Sequence, residues 1–180
     1  LTYSHNFVMF DIDRINLEEF FGCVAATNTT QMKSNAFKTI RTWLQEKSFA
    51  KWSDGQLQYV GDYKNGMDFE SDEHAYEMKG KLKMFNKNGS TTAIDLKNFR
   101  GESKVVDKTF DYMILVDTRS MSIAITDWDT VEKRIYFTEK SPVAKFKLEP
   151  GEYTMLAENI TPSEKSMSSS EILENLQQIL

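Results

Sequence analysis

Apolar residues recur at helical spacing over residues 1–50, and from Trp52 onward the period shortens to two. Ile15, Leu17, Phe20, Phe21 and Val24 form one stripe, with Asn16 or Asp13 in place to cap its start. Thr27-Asn28-Thr29-Thr30 breaks it. A second helix is predicted over residues 31–47, where Ala36, Phe37, Ile40, Trp43 and Leu44 share a face. Ser53-Asp54-Gly55 reads as a turn, and short alternating runs follow at Leu57–Gly61, Gly66–Ser71, Ala75–Phe85 and Thr91–Lys97. Asn88-Gly89 is a strong hairpin signal. Phe110–Asp117 is almost wholly apolar, as a strand covered on both faces should be. Met121–Thr126 reads as a strand after a tight turn, Trp128–Arg134 as a short helix and Val143–Leu148 as a further strand.

Helices packed on a mixed sheet are the simplest way to hide these faces, which gives an α+β fold with a mixed central β-sheet flanked by helices. A closed all-β barrel is the competing arrangement. Residues 1–161 are expected to form the folded domain. Residues 162–180 are expected to be a serine-rich linker and an amphipathic C-terminal helix carrying Ile172, Leu173, Leu176, Ile179 and Leu180.

Composition narrows the class. The chain has 180 residues, 40% of them apolar and 27% charged, which excludes a disordered or collagen-like chain. The longest apolar runs are as short as Tyr112–Val116, far below the ~20 residues needed to cross a bilayer. No basic stretch followed by an apolar one opens the chain, so no signal peptide is expected. Cys23 is the single cysteine, which excludes an intrachain disulfide and a multi-cysteine metal site; a cytoplasmic location is the expectation. The net charge of −5 is unevenly spread. Residues 149–180 hold six acids against Lys165, the whole of the net charge, while residues 75–108 hold eight bases against four acids. That basic stretch reads either as a footprint for a polyanion or as a solvated, lysine-rich face.

The chemistry concentrates between Gly66 and Gly80. Folded as a hairpin with Asp72-Glu73 at its tip, the segment pairs Glu70 with Ala75, Phe69 with Tyr76 and Asp68 with Glu77. Opposed residues share a face, and Lys79 lies on the same face as Glu77 because strand side chains alternate. Two carboxylates and an ammonium thus converge from neighbouring strands. Such a pair of carboxylates suits Mg²⁺, and a lysine beside it suits work on an attacking water or a phosphate. Asp68, eight intervening residues and Glu77-Met78-Lys79 resemble the PD-(D/E)XK nuclease motif of many restriction endonucleases, with Met67 where that family often has proline. Tyr76–Gly80 is similar to the family's hydrophobic-Glu-x-Lys strand and Phe110–Val116 to the core strand after it. Ser122–Thr126 with Asp127–Val131 is similar to the next strand and short helix. The resemblance spans about residues 31–135.

What the resemblance implies is a restriction-endonuclease-like core and a Mg²⁺-dependent endonuclease cutting duplex DNA as a homodimer. Asp68 and Glu77 would hold the metal and Lys79 would act on the water. Lys81, Lys83, Lys87, Lys97 and Arg100 are the expected phosphate contacts. A rival motif is Asp95-Leu96-Lys97. Pairing across Asn88-Gly89 would set Asp95 opposite Leu82 and Lys97 opposite Gly80, on the face away from Glu77. The competing class is a non-enzymatic β-rich binding module.

Other candidates have bland readings. His74 is expected at the surface, Cys23 buried, and Trp43 and Trp128 in the core; Trp52 and Tyr63 flank turns and could stack on bases, but core packing is the expectation for both. Glu18, Glu19 and Glu46 could assist a metal from a helix, but solvent exposure is the expectation for all three. The stripe at the C-terminus is too apolar to stay in water, so it is expected either to dock on its own domain or to serve as an assembly element. Deleting residues 170–180 should convert a two-fold dimer to a monomer, read as mass by light scattering; an unchanged dimer would put the interface elsewhere.

Overall fold

A computed structural model describes residues 10–28, 37–64, 66–98 and 105–163, with backbone alone for 97 and 98. The helices are α1 (Leu17–Thr27), α2 (Lys38–Lys51) and α3 (Trp128–Glu132). The strands are β1 (Gln58–Tyr59), β2 (Phe69–Glu70), β3 (Ala75–Lys81), β4 (Ile94–Asn98), β5 (Tyr112–Asp117), β6 (Ser122–Asp127), β7 (Tyr136–Thr138), β8 (Ser141–Phe146) and β9 (Thr154–Ala157). Asn16 caps α1, its side-chain oxygen accepting the Glu19 amide at 3.2 Å. No helix among the described residues is long and apolar enough to cross a membrane.

The strands form two sheets. The larger has the order β1-β2-β3-β5-β6-β9 and is mixed, because β3 and β5 run parallel while their neighbours are antiparallel. The smaller has the antiparallel order β4-β8-β7. The α+β class with a mixed sheet is therefore present. The chain builds three layers. Tyr76, Met78, Ile114 and Val116 pack against Phe20 and Phe21 of α1 and Phe49 of α2. On the other face Met113 and Leu115 pack against Ile94, Phe146 and Trp128. β5 is covered on both sides, which is why its sequence has no polar alternation.

The small sheet departs from expectation. The hairpin at Asn88-Gly89 begins as predicted, with Asn86 N–H donating to Ser90 O at 2.8 Å and a bridge between Phe85 and Thr91. It then ends. β4 leaves β3 and pairs with β8, setting Asp95 against Lys145 rather than Leu82. The apolar side of β4, Ile94 and Leu96, gains full burial under β5 by this route. Strands β7 and β9 were not expected from the sequence, being short and weakly alternating. The expected linker begins packed, since Ser163 N–H donates to Glu18 O at 2.9 Å. The expected C-terminal helix and residues 31–36 of the second predicted helix lie outside the described residues.

Asp117 joins the layers. Its carboxylate, 5% exposed, accepts the amides of Met84 at 2.8 Å, Arg119 at 3.1 Å and Ser120 at 2.9 Å. Burial alone would raise this carboxyl, but the amide hydrogen bonds outweigh it and hold it below its ordinary value. One side chain thus closes the β5–β6 turn and fixes the path of the chain leaving β3. Asp117→Ala would strand the buried Met84 amide and the part-buried amides of Arg119 and Ser120, and should lower stability by about 3 kcal/mol, measured by urea unfolding. A loss under ~1 kcal/mol would show that water replaces the carboxylate.

Candidate active site

The approach to β2 is locked before the first acid appears. Gly66 has φ +82°, and a Cβ built there would stand 2.5 Å from Thr109 Oγ1. The same hydroxyl donates to Gly66 O at 2.6 Å. Only glycine allows this close approach with a left-handed backbone. Asp68 follows with its backbone held on both sides. Its N–H donates to Tyr76 O at 2.8 Å, and its carbonyl accepts Val60 N–H at 2.8 Å. Its side chain takes up a further ladder position, Oδ2 accepting Met78 N–H at 2.8 Å.

The β2–β3 register pairs Phe69 with Tyr76 and Glu70 with Ala75, as the hairpin reading requires. Glu77 and Lys79 lie on one face of β3, with Nζ and Oε1 3.0 Å apart. Asp68, Glu77 and Lys79 line one cleft of about 370 Å³, whose apolar wall includes Met67, Leu96, Val106, Phe110 and Trp128. Glu77 and Lys79 also open onto a second cleft of about 840 Å³, lined by Arg41, Glu46, Lys81, Asp95 and Lys145 among others. The pair therefore stands where the two clefts meet.

Glu46 of α2 corrects the expectation of exposure: it is 9% exposed and close in charge to the site. Burial, then the charges of Asp68 and Glu77, push its carboxyl up to about 8. Burial, then Glu77, push Asp68 up to about 7. The signal was present in the sequence, because Glu46 lies three residues after Trp43 and three before Phe49 and so shares their inward face. Glu18 is exposed and Glu19 half-buried in the first turn of α1, and neither lines these clefts.

The predicted phosphate contacts divide. Lys81 lines the larger cleft. Lys83 is exposed beside a different cleft with Asp117 and Arg119, and Lys87 is exposed away from both. The Lys97 side chain and Arg100 lie outside the described residues. The basic wall instead includes Lys38, Arg41 and Lys145, which the local charge count passed over because they come from distant segments. Asp95 of the rival motif is 64% exposed at its side chain and forms an ion pair with Lys145 at 2.5 Å. It stands on the second sheet, apart from Asp68.

Three further expectations need adjustment. His74 is mostly covered, its side chain 17% exposed and packed edge-on against Tyr112. Tyr63 is 65% exposed rather than in the core. Trp43 is only partly buried, in a small cluster with Leu44 and Ala26, and its indole donates to Asp62 Oδ1 at 2.8 Å. Cys23 is buried as expected, and burial pushes its thiol up.

Among the described residues no group of three or more histidine, cysteine, aspartate or glutamate side chains is placed to hold a metal ion. The candidate donor set is thus the Asp68/Glu77 pair. It consists of hard oxygen ligands, and burial beside Glu77 keeps Asp68 protonated toward neutral pH, so a cation would relieve both acids. The pair fits Mg²⁺, which uses one or two carboxylates with waters completing its shell. Comparison with family models, curated proteins and solved structures returned no match.

An acid whose folded pKa stands above its unfolded value keeps its proton in the folded state after the unfolded chain has lost it. Stability then falls as pH rises through that window. The window runs from 3.8 to about 7 for Asp68 and from 4.5 to about 8 for Glu46. The contribution of these two groups should therefore lower the melting temperature in EDTA from about pH 5 to about pH 8. Asp68→Asn and Glu46→Gln should each flatten the decline relative to wild type. Variants with the wild-type slope would mean that these carboxyls ionise at ordinary values.

Proposed function

We propose that this protein is a Mg²⁺-dependent endonuclease that hydrolyses phosphodiester bonds of duplex DNA. The observation that carries the reading is the convergence of Asp68 and Glu77 on the face of β3 that Lys79 shares, at the meeting of two clefts with a basic wall. A mixed sheet preceded by α2 agrees with the restriction-endonuclease-like core that the motif implies.

Each side chain has a role set by its chemistry. Asp68 and Glu77 would hold Mg²⁺, which supplies a water of lowered pKa and screens phosphate charge. Lys79 donates to Glu77 and retains donors for an attacking water or a phosphate oxygen. Burial and the neighbouring Asp68 and Glu77 push the Glu46 carboxyl up to about 8, which reduces the negative charge it turns toward an incoming phosphate. Lys38, Arg41, Lys81 and Lys145 offset the remaining acids along the larger cleft. A homodimer, with one such site for each strand, is the assembly the resemblance implies.

Purified protein incubated with long unmodified and modified DNA should cut it with Mg²⁺ and not in excess EDTA. Glu77→Ala and Lys79→Ala should each lower the rate by at least ~10²-fold, with circular dichroism unchanged. Asp95→Ala should retain most activity. Cleavage undiminished in EDTA would remove the metal role, and dead Asp95 variants beside active Glu77 variants would move the site to β4. Absence of cleavage under all these conditions would favour a binding module.

A further inference from the structure

Lys81 lies two residues beyond Lys79 on β3, so the two share a face about 6.6 Å apart along the strand. That step is on the scale of one phosphate to the next along a nucleic-acid backbone. Lys81 is joined across the cleft wall by Lys145 of β8, and Asp95 of β4 lies by both. Three strands from two sheets therefore bring two ammonium groups to one carboxylate.

Both lysines are tethered. Lys81 Nζ donates to Ala93 O, and Lys145 Nζ meets Asp95 Oδ1 at 2.5 Å. Each ammonium has three donors, so one bond apiece leaves two on each for an anion. Burial pushes the Lys81 ammonium down, so it stands to gain from a bound negative charge, while the Asp95 carboxylate holds Lys145 up and in place, its side chain only 24% exposed. Tethered side chains also lose less rotamer freedom when a ligand arrives than free surface lysines do. The corner keeps one net positive charge after Asp95 is counted.

We propose that Lys81 and Lys145 form a second phosphate subsite, adjacent along the backbone to the phosphate facing Glu77 and Lys79. This rests on the nuclease reading and deepens it. The acid-x-Lys sequence of β4 thereby has a use: Asp95 positions Lys145 and holds no metal.

The test uses the full chain and a duplex oligonucleotide whose cleavage position has been mapped. Lys81→Ala with Lys145→Ala should raise KM about tenfold, the weight of one charge-assisted hydrogen bond, with kcat nearly unchanged. The slope of log binding against log salt should become shallower by ~0.9, the increment for one neutralised phosphate. A neutral methylphosphonate at one phosphate beside the cleaved bond should harm wild type to a similar degree and add little in the double variant. Lys145→Arg should restore the wild-type pattern, with circular dichroism reporting the fold. Variants with the wild-type salt slope and wild-type methylphosphonate sensitivity would overturn the subsite while leaving the nuclease reading intact. A wild-type chain that neither binds nor cuts DNA would remove the nuclease reading and the subsite with it.

Discussion

β5 is covered on both faces, with Ile114 and Val116 against the helices and Met113 and Leu115 against the second sheet. Burying each such side chain contributes about 1.5–3 kcal/mol, so the strand demands two separate covers. The helices supply one. The other has to come from chain that follows β3, because β3 and β5 run parallel and parallel neighbours need a long crossover. That crossover carries β4, whose apolar side joins β8 and α3 to close the lower face. Asp117, at the end of β5, accepts the Met84 amide just beyond β3 and so sets where the crossover begins.

The same constraint makes the candidate site half-buried. Glu77 and Lys79 pair in register with Met113 and Leu115 and face the same side of the sheet. Leu96 and the 105–110 segment come close enough to form a cleft there and do not fill it. Carboxylates in such a position lose water without gaining enough partners. Asp68 and Glu46 respond by holding protons, and Lys79 offsets Glu77 at 3.0 Å. A basic wall gathered from α2, β3 and β8 borders that half-buried cluster, the charge complement that the proposed duplex DNA substrate would need.

The hairpin from Gly66 to Gly80 was legible because its register follows from a local turn and from alternation alone. Ser71 and His74 flank the tip and are hydrogen bonded, and every pair above them follows by counting. The burial of β5 was legible for a similar reason, since a run without polar positions has one explanation in a sheet. Asn88-Gly89 misled by the same logic. Its turn forms, but Ile94 and Leu96 are buried in the cluster with Met113, Leu115 and Ala124, and tertiary burial overrode the local register.

Periodicity by itself determined the longer helices and strands, though not the short β7 and β9, and which residues of one hairpin share a face, because those properties depend on neighbours a few positions apart. It thereby brought Asp68, Glu77 and Lys79 together. Tertiary structure alone decided that the inward face of α2 carrying Glu46 meets Asp68 and Glu77, that Asp95 meets Lys145 fifty residues away, and that the basic wall draws on α2 and β8 rather than on one lysine-rich stretch. Those meetings depend on which surfaces of distant segments bury each other, and no count along the chain contains that information.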